Sequence, residues 1–141
     1  MIQLAPRLLA AALALSGCAA GQTTASGPVV SRVEGVDAAD LDTLADAAVD
    51  LVRGQASATD GTIGLQSAGD DRFTPRLVDK LNEAGYGVVN GDRLRYQVGP
   101  LGDALMLRVS IDGRDAARLY ARDKDGRLGP AGPLSVWSVE K

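Results

Sequence analysis

Apolar residues recur every three or four positions from Leu41 to Val52 (Leu41, Leu44, Ala45, Ala48, Val49, Val52), which predicts a helix over about 38–53. Asp37 stands where an N-cap belongs, and Asp40 and Asp42 suit the positive end of the helix. Asp42, Asp46 and Asp50 repeat every four residues on the other side and read as a solvated face; the loop geometry of a calcium site is missing. A second helix is marked by Thr74 as N-cap, Pro75 at its first position, Leu77, Val78, Leu81 and Ala84 on one face, and Gly85 as its stop.

Past Gly85 the pattern changes to alternation, the signature of strands. Tyr86 to Val89 is extended, and Asn90-Gly91 turns. Arg93 to Val98 follows with Leu94, Tyr96 and Val98 on one face, broken by Pro100, Gly102 and Asp103. Ala104 to Ile111 points Leu105, Leu107, Val109 and Ile111 inward, and Asp112-Gly113 is a tight hairpin turn. Ala116 to Arg122 returns, with Ala117, Leu119 and Ala121 read as inward. Asp125-Gly126 turns again, Gly129 to Pro133 is a loop, and Leu134 to Val139 adds an edge strand. With Thr62 to Leu65 as an earlier strand, the expectation is an α+β fold. It is a two-layer sandwich with two helices on one face of a mostly antiparallel sheet of four to five strands, over 38–141.

The N-terminus carries a different signal. Arg7 is followed by Leu8 to Leu15, eight apolar residues that as a helix would span about 12 Å, against roughly 30 Å of hydrocarbon. Residues 1–17 therefore read as an export signal. The run ends in Leu15-Ser16-Gly17-Cys18, which resembles the lipobox of bacterial lipoproteins. That resemblance implies cleavage before Cys18 and acylation of its sulfur and new amine. Ala19, where an Asp would favour inner-membrane retention, implies the outer membrane with the domain in the periplasm. Residues 18–37 are the lipidated Cys and a flexible tether, rich in small and polar residues; the alternative is that Val29, Val30, Val33 and Val36 pack as a strand.

Composition removes much ordinary enzymology. Among 141 residues there is no His and one Cys, so a Ser-His-Asp triad, a Cys-His dyad, an internal disulfide and His-ligated metal are excluded. No phosphate loop or dinucleotide fingerprint occurs, and a net charge of −3 makes nucleic acid an unlikely main partner. No cofactor, metal or small-molecule substrate is expected.

Asp42-Thr43-Leu44-Ala45-Asp46, Leu94-Arg95-Tyr96, Leu107-Arg108-Val109, Asp112-Gly113, Ala117 to Arg122 and Pro130-Ala131-Gly132-Pro133 follow the lipobox in this order. Together they resemble the TrbH family of conjugal-transfer lipoproteins. The resemblance implies a non-enzymatic component of a type IV secretion apparatus for mating-pair formation, with other envelope-channel proteins as partners. The alternatives are an envelope lipoprotein that scaffolds or activates a cell-wall synthase, and a wall hydrolase using the acid pair Asp70 and Asp71. With the strand faces as read, Arg93, Arg95, Arg108, Arg118, Tyr120 and Arg122 share the outer face of the sheet. They form a candidate docking face for an acidic protein.

Overall fold

The computed structural model describes residues 29–56, 61–67 and 71–138. The elements run β1 (Val30–Ser31), α1 (Ala38–Arg53), β2 (Thr62–Leu65), α2 (Thr74–Glu83), β3 (Gly87–Asn90), β4 (Leu94–Leu101), β5 (Ala104–Ile111), β6 (Arg114–Arg122), β7 (Leu128–Pro130) and β8 (Ser135–Ser138). The α+β class holds, but among the described residues the sheet has eight strands rather than four or five, six of them along the path β3-β2-β4-β5-β6-β7. β1 lies beside β4, and β8 shares the edge of β6 with β7.

The sheet is also less antiparallel than expected. The meander β4 to β8 is antiparallel throughout, whereas β2 pairs parallel with β3 and β4, and β1 pairs parallel with β4. The reason is connectivity: α2 joins β2 to β3, and a helical crossover returns the chain to lay the next strand parallel. β1 falls in the segment read as a tether. Val30 pairs with Gln97 and Ser31 with Val98, and Val33 is buried in the core. The valine alternative holds in part: the strand is Val30–Ser31 only, while Val29, Val33 and Val36 pack against the core.

α1 has the bounds its stripe predicts, and all six residues of that stripe are buried. Asp37 has the extended backbone of an N-cap, but its carboxylate makes no capping bond. The cap of α2 is not Thr74, which is the first helical residue. Asp71 does that work: its Oδ1 accepts the backbone N–H groups of Phe73 (2.7 Å) and Thr74 (2.5 Å), and its Oδ2 accepts the Thr74 hydroxyl. The buried Tyr96 hydroxyl joins this cluster from β4, donating to Asp71 at 3.2 Å. One carboxylate thus satisfies the helix start and pins α2 to the sheet. Asp70, the other half of the suggested acid pair, lies outside the described residues.

The core lies between helices and sheet: Leu41, Leu44 and Val52 from α1, Leu77 and Leu81 from α2, and Leu94, Tyr96, Leu107, Val109 and Ile111 from β4 and β5. Phe73 packs on Tyr96 with ring centroids 5.4 Å apart. β6 meets this core with the opposite face from the one expected. Its inward residues are Ala116 and Tyr120; Ala117, Leu119 and Ala121 face away. The cause is the hairpin. Asp112 and Gly113 both have positive φ (51° and 78°), so the turn has two residues and Ile111 sits opposite Arg114. Directly paired residues share a face, so Val109 brings Ala116 inward and Leu105 brings Tyr120. Lastly, Gly129 and Pro130, read as loop, belong to β7.

Candidate functional site

The inversion of β6 divides the six residues expected on one docking face. Strand register places the residues of the outer face in rows. One row is Arg95, Ser110, Asp115 and Trp137; the next is Val30, Gln97, Arg108, Ala117 and Ser135; then come Gly99, Met106 and Leu119. Arg95 and Arg108 are where they were expected; Arg93 stands just before β4, paired with Asp112 of the β5–β6 turn. Arg118, Tyr120 and Arg122 lie on the helix side, because Leu107 pairs with Arg118 and Leu105 with Tyr120. They do not belong to the outer face.

Each misplaced residue has a structural occupation. Arg122 pairs with Asp40 at the start of α1, with Asp37 3.7 Å away, and donates to the Gly126 carbonyl at 3.0 Å. This contact explains a buried aspartate on the first turn of a helix. Arg118 donates from Nε to the Gly132 carbonyl (2.9 Å), tying β6 to the connection between β7 and β8. Tyr120 is 5% exposed, and burial holds its phenol above the usual range. Arg118 opposes that shift and Asp50 adds to it. These groups line a groove of about 380 Å³ between α1 and β7.

The aspartate ladder of α1 is a solvated face, as read, and two of its three members reach across to α2. Asp42 meets Arg76 at 2.8 Å and Asp46 meets Lys80 at 3.4 Å, both across to α2, and Asp50 lies 3.7 Å from Arg53. Asp46, then Glu83, hold the Lys80 ammonium pKa above its ordinary value.

On the outer face, Asp115 is fully buried and accepts the Ser110 hydroxyl. Arg108 Nη2 stands 3.1 Å from Asp115 Oδ2, and its guanidinium lies 5.1 Å from the Trp137 ring centroid. Carboxylate and ring hold the arginine flat against the sheet. At the end of the hairpin, Arg93 grips Asp112 through Nε and Nη2 at 2.8–3.1 Å, which keeps that carboxyl below the ordinary range. The far half of the face is apolar. Leu101, Met106, Leu119 and Pro133 line a shallow depression of about 370 Å³. Ser110, Asp115 and Trp137 were not singled out from the sequence. The two-residue turn carried the signal, since pairing Ile111 with Arg114 puts Ser110 opposite Asp115.

The face thus joins a Ser110–Asp115–Arg108–Trp137 cluster to an apolar depression. The family model described as conjugal transfer protein TrbH matches residues 23–140, nearly the whole chain. The chain belongs to the TrbH family. No curated protein and no solved structure is significantly similar to it. Membership of TrbH places the chain in conjugal transfer, with other transfer proteins as the class of partner. The match takes in β1 to β8, both helices and the outer face described above.

Proposed function

We propose that this TrbH protein is a structural, non-catalytic component of a conjugative type IV secretion apparatus. It is held on the outer membrane by acyl chains on Cys18, with its domain in the periplasm beside other mating-pair formation proteins. The family match over 23–140 carries this reading. The lipobox sequence Leu15-Ser16-Gly17-Cys18 supports the anchor, although Cys18 and the signal segment lie outside the described residues. Two or more acyl chains, at about 0.8 kcal/mol per buried CH₂, give stable anchoring where one does not. Among the described residues no helix is long and apolar enough to cross a membrane.

The test is a mating assay with the gene deleted from its native element and restored as wild type or as Cys18→Ala. Deletion is expected to lower DNA transfer without changing growth, and the wild-type gene to restore it. Cys18→Ala is expected to lose acyl labelling and membrane retention. Transfer at the parental frequency after deletion overturns the role in transfer. A Cys18→Ala protein that still fractionates with the outer membrane in high salt overturns the anchor.

A further inference from the structure

At one margin of the sheet stands β3, which among the described residues pairs only with β2. The Gly91 N–H donates to the Leu65 carbonyl at 3.1 Å, so Gly91 is turned toward β2, and by alternation so are Val89 and Gly87. The N–H and C=O groups of Val88 and Asn90 therefore point away from the sheet, in its plane. Natural edges are blunted by lysine, proline or bulges, and β3 (Gly-Val-Val-Asn) carries no charge and no proline. Val88 packs on the core, which leaves Val89 on the outer face, 55% exposed.

The helix beside this margin is neutral on the same side. Arg76 and Lys80 of α2 reach toward α1, and Leu77 and Leu81 enter the core. At about 100° per residue, Pro75, Val78 and Asn82 occupy the remaining flank, toward β3. In a chain of which 23% is charged, a strand edge and a helix flank without a charge stand out. α2 also runs at a slant. Thr74 at its start meets Tyr96 on β4, whereas its last turn leads through residues 84–86 straight into β3. The slant leaves a hollow of about 520 Å³ at the Asn90 end of β3, lined by Leu65, Thr74, Val78 and Val88.

A second copy of the chain fits each of these features. Set antiparallel to itself about a two-fold axis at Val89, β3 places Val88 opposite Asn90 of the other copy. These two exchange both N–H···O=C bonds, and the axis repeats the exchange. Val89 then meets Val89 as a close pair, with Cα atoms about 4.5 Å apart, and Gly87 stands opposite Gly91. No charge opposes a like charge along the strand. The same axis carries the last turn of the other α2, with Asn82, toward the hollow beside Asn90.

We propose that the chain pairs with a second copy of itself through β3, joining two sheets into one with the helices of both on the same side. The axis consumes both edges, so the assembly closes at two chains. This goes beyond the role in transfer and does not depend on the acyl anchor.

The full chain carrying Cys18→Ser has no thiol, so adding Val89→Cys gives each copy one, on the axis. Val89→Cys is expected to form disulfide-linked dimers under mild oxidation, because a close pair lies within reach of that bond. Leu101→Cys, 54% exposed at the β4–β5 hairpin, is expected to stay unlinked. Sedimentation equilibrium of the Cys18→Ser chain is expected to show a dimer. Its dissociation constant should rise about tenfold or more with Val89→Lys or Val89→Glu, each of which sets a charge against its own copy. Circular dichroism should stay unchanged, and mixing the two variants should restore dimers, which a misfolded chain would not do. A Cys18→Ser chain that stays monomeric into the millimolar range overturns the proposal. So does a dimer that both Val89 charge variants leave unchanged, or one that Leu101→Cys traps as readily as Val89→Cys. Any of these results leaves the role in transfer, which the mating assay reads, standing.

Discussion

Replacing Ala116 and Ala117 in turn by aspartate separates the two faces of β6. Ala116 is 1% exposed and lies in the core opposite Val109. A carboxylate there has no counter-ion, and an uncompensated buried charge costs about 3–5 kcal/mol. Ala117 faces outward beside Arg108, where the same change is expected to cost no more than about 1 kcal/mol. Aspartate is equally poor as a strand former at both sites, so the difference isolates burial. A domain of this size has about 5–15 kcal/mol in all, and each kcal/mol moves Tm by roughly 4–8 °C. Ala116→Asp should thus lower Tm by at least about 12 °C, and Ala117→Asp by a few degrees. The assay is thermal and urea unfolding of the full chain in a Cys18→Ser background. Burial raises the pKa of the introduced carboxyl in the folded state. Its penalty is therefore present above the ordinary carboxylate range and shrinks as acid neutralises it. Greater damage from Ala117→Asp than from Ala116→Asp would refute the register assigned to the β5–β6 hairpin.

Gly91→Ala should destabilise the domain by about 1–3 kcal/mol, because a Cβ at Gly91 would stand 2.7 Å from the Gly64 Cα; urea unfolding checks it. The Arg93 hydrogen bond depresses the Asp112 pKa in the folded state, so its contribution is present above the carboxylate range and lost as pH falls through it. Asp112→Asn, which tolerates the positive φ of that position, should flatten the dependence of Tm on pH from the ordinary carboxylate range downward.

The parts legible in the sequence were those set by local chemistry. The stripe of α1, the Pro75 and Gly85 bounds of α2 and the turn at Asp112-Gly113 each need only neighbouring residues, whereas Asn90 ends β3 and the chain then crosses β2 instead of making a hairpin. β1 was less legible because two residues carry no periodicity, and their pairing partner is more than sixty positions away. The cap of α2 was misassigned because Thr74 and Asp71 both suit the role, and the choice depends on Tyr96 from β4. β6 was the instructive failure. Ala116 and Ala117 are equally apolar, and Leu119 outweighs Tyr120 as a core residue on composition. The hairpin turn held the answer, since a two-residue connection leaves only one register. With that register applied, Arg95 and Arg108 remain on the candidate face, while Arg93 braces the Asp112 turn and Arg118 and Arg122 become braces within the fold. Trp137 and Asp115 entered the site through strand pairing alone.

β6 is nine residues long, and two short strands in series cover its edge: β8 beside Arg114 to Ala117 and β7 beside Tyr120 to Arg122. Between them, the Ala131 amide closes on the Leu119 carbonyl at 2.8 Å. The outer margin on this side is therefore three and four residues long, interrupted by Pro130 and Pro133. Such a margin offers no long row of unpaired amides and carbonyls for a neighbour to extend. A divided margin lets copies of the chain stand at high local concentration without zipping together along this side into a continuous cross-molecular sheet.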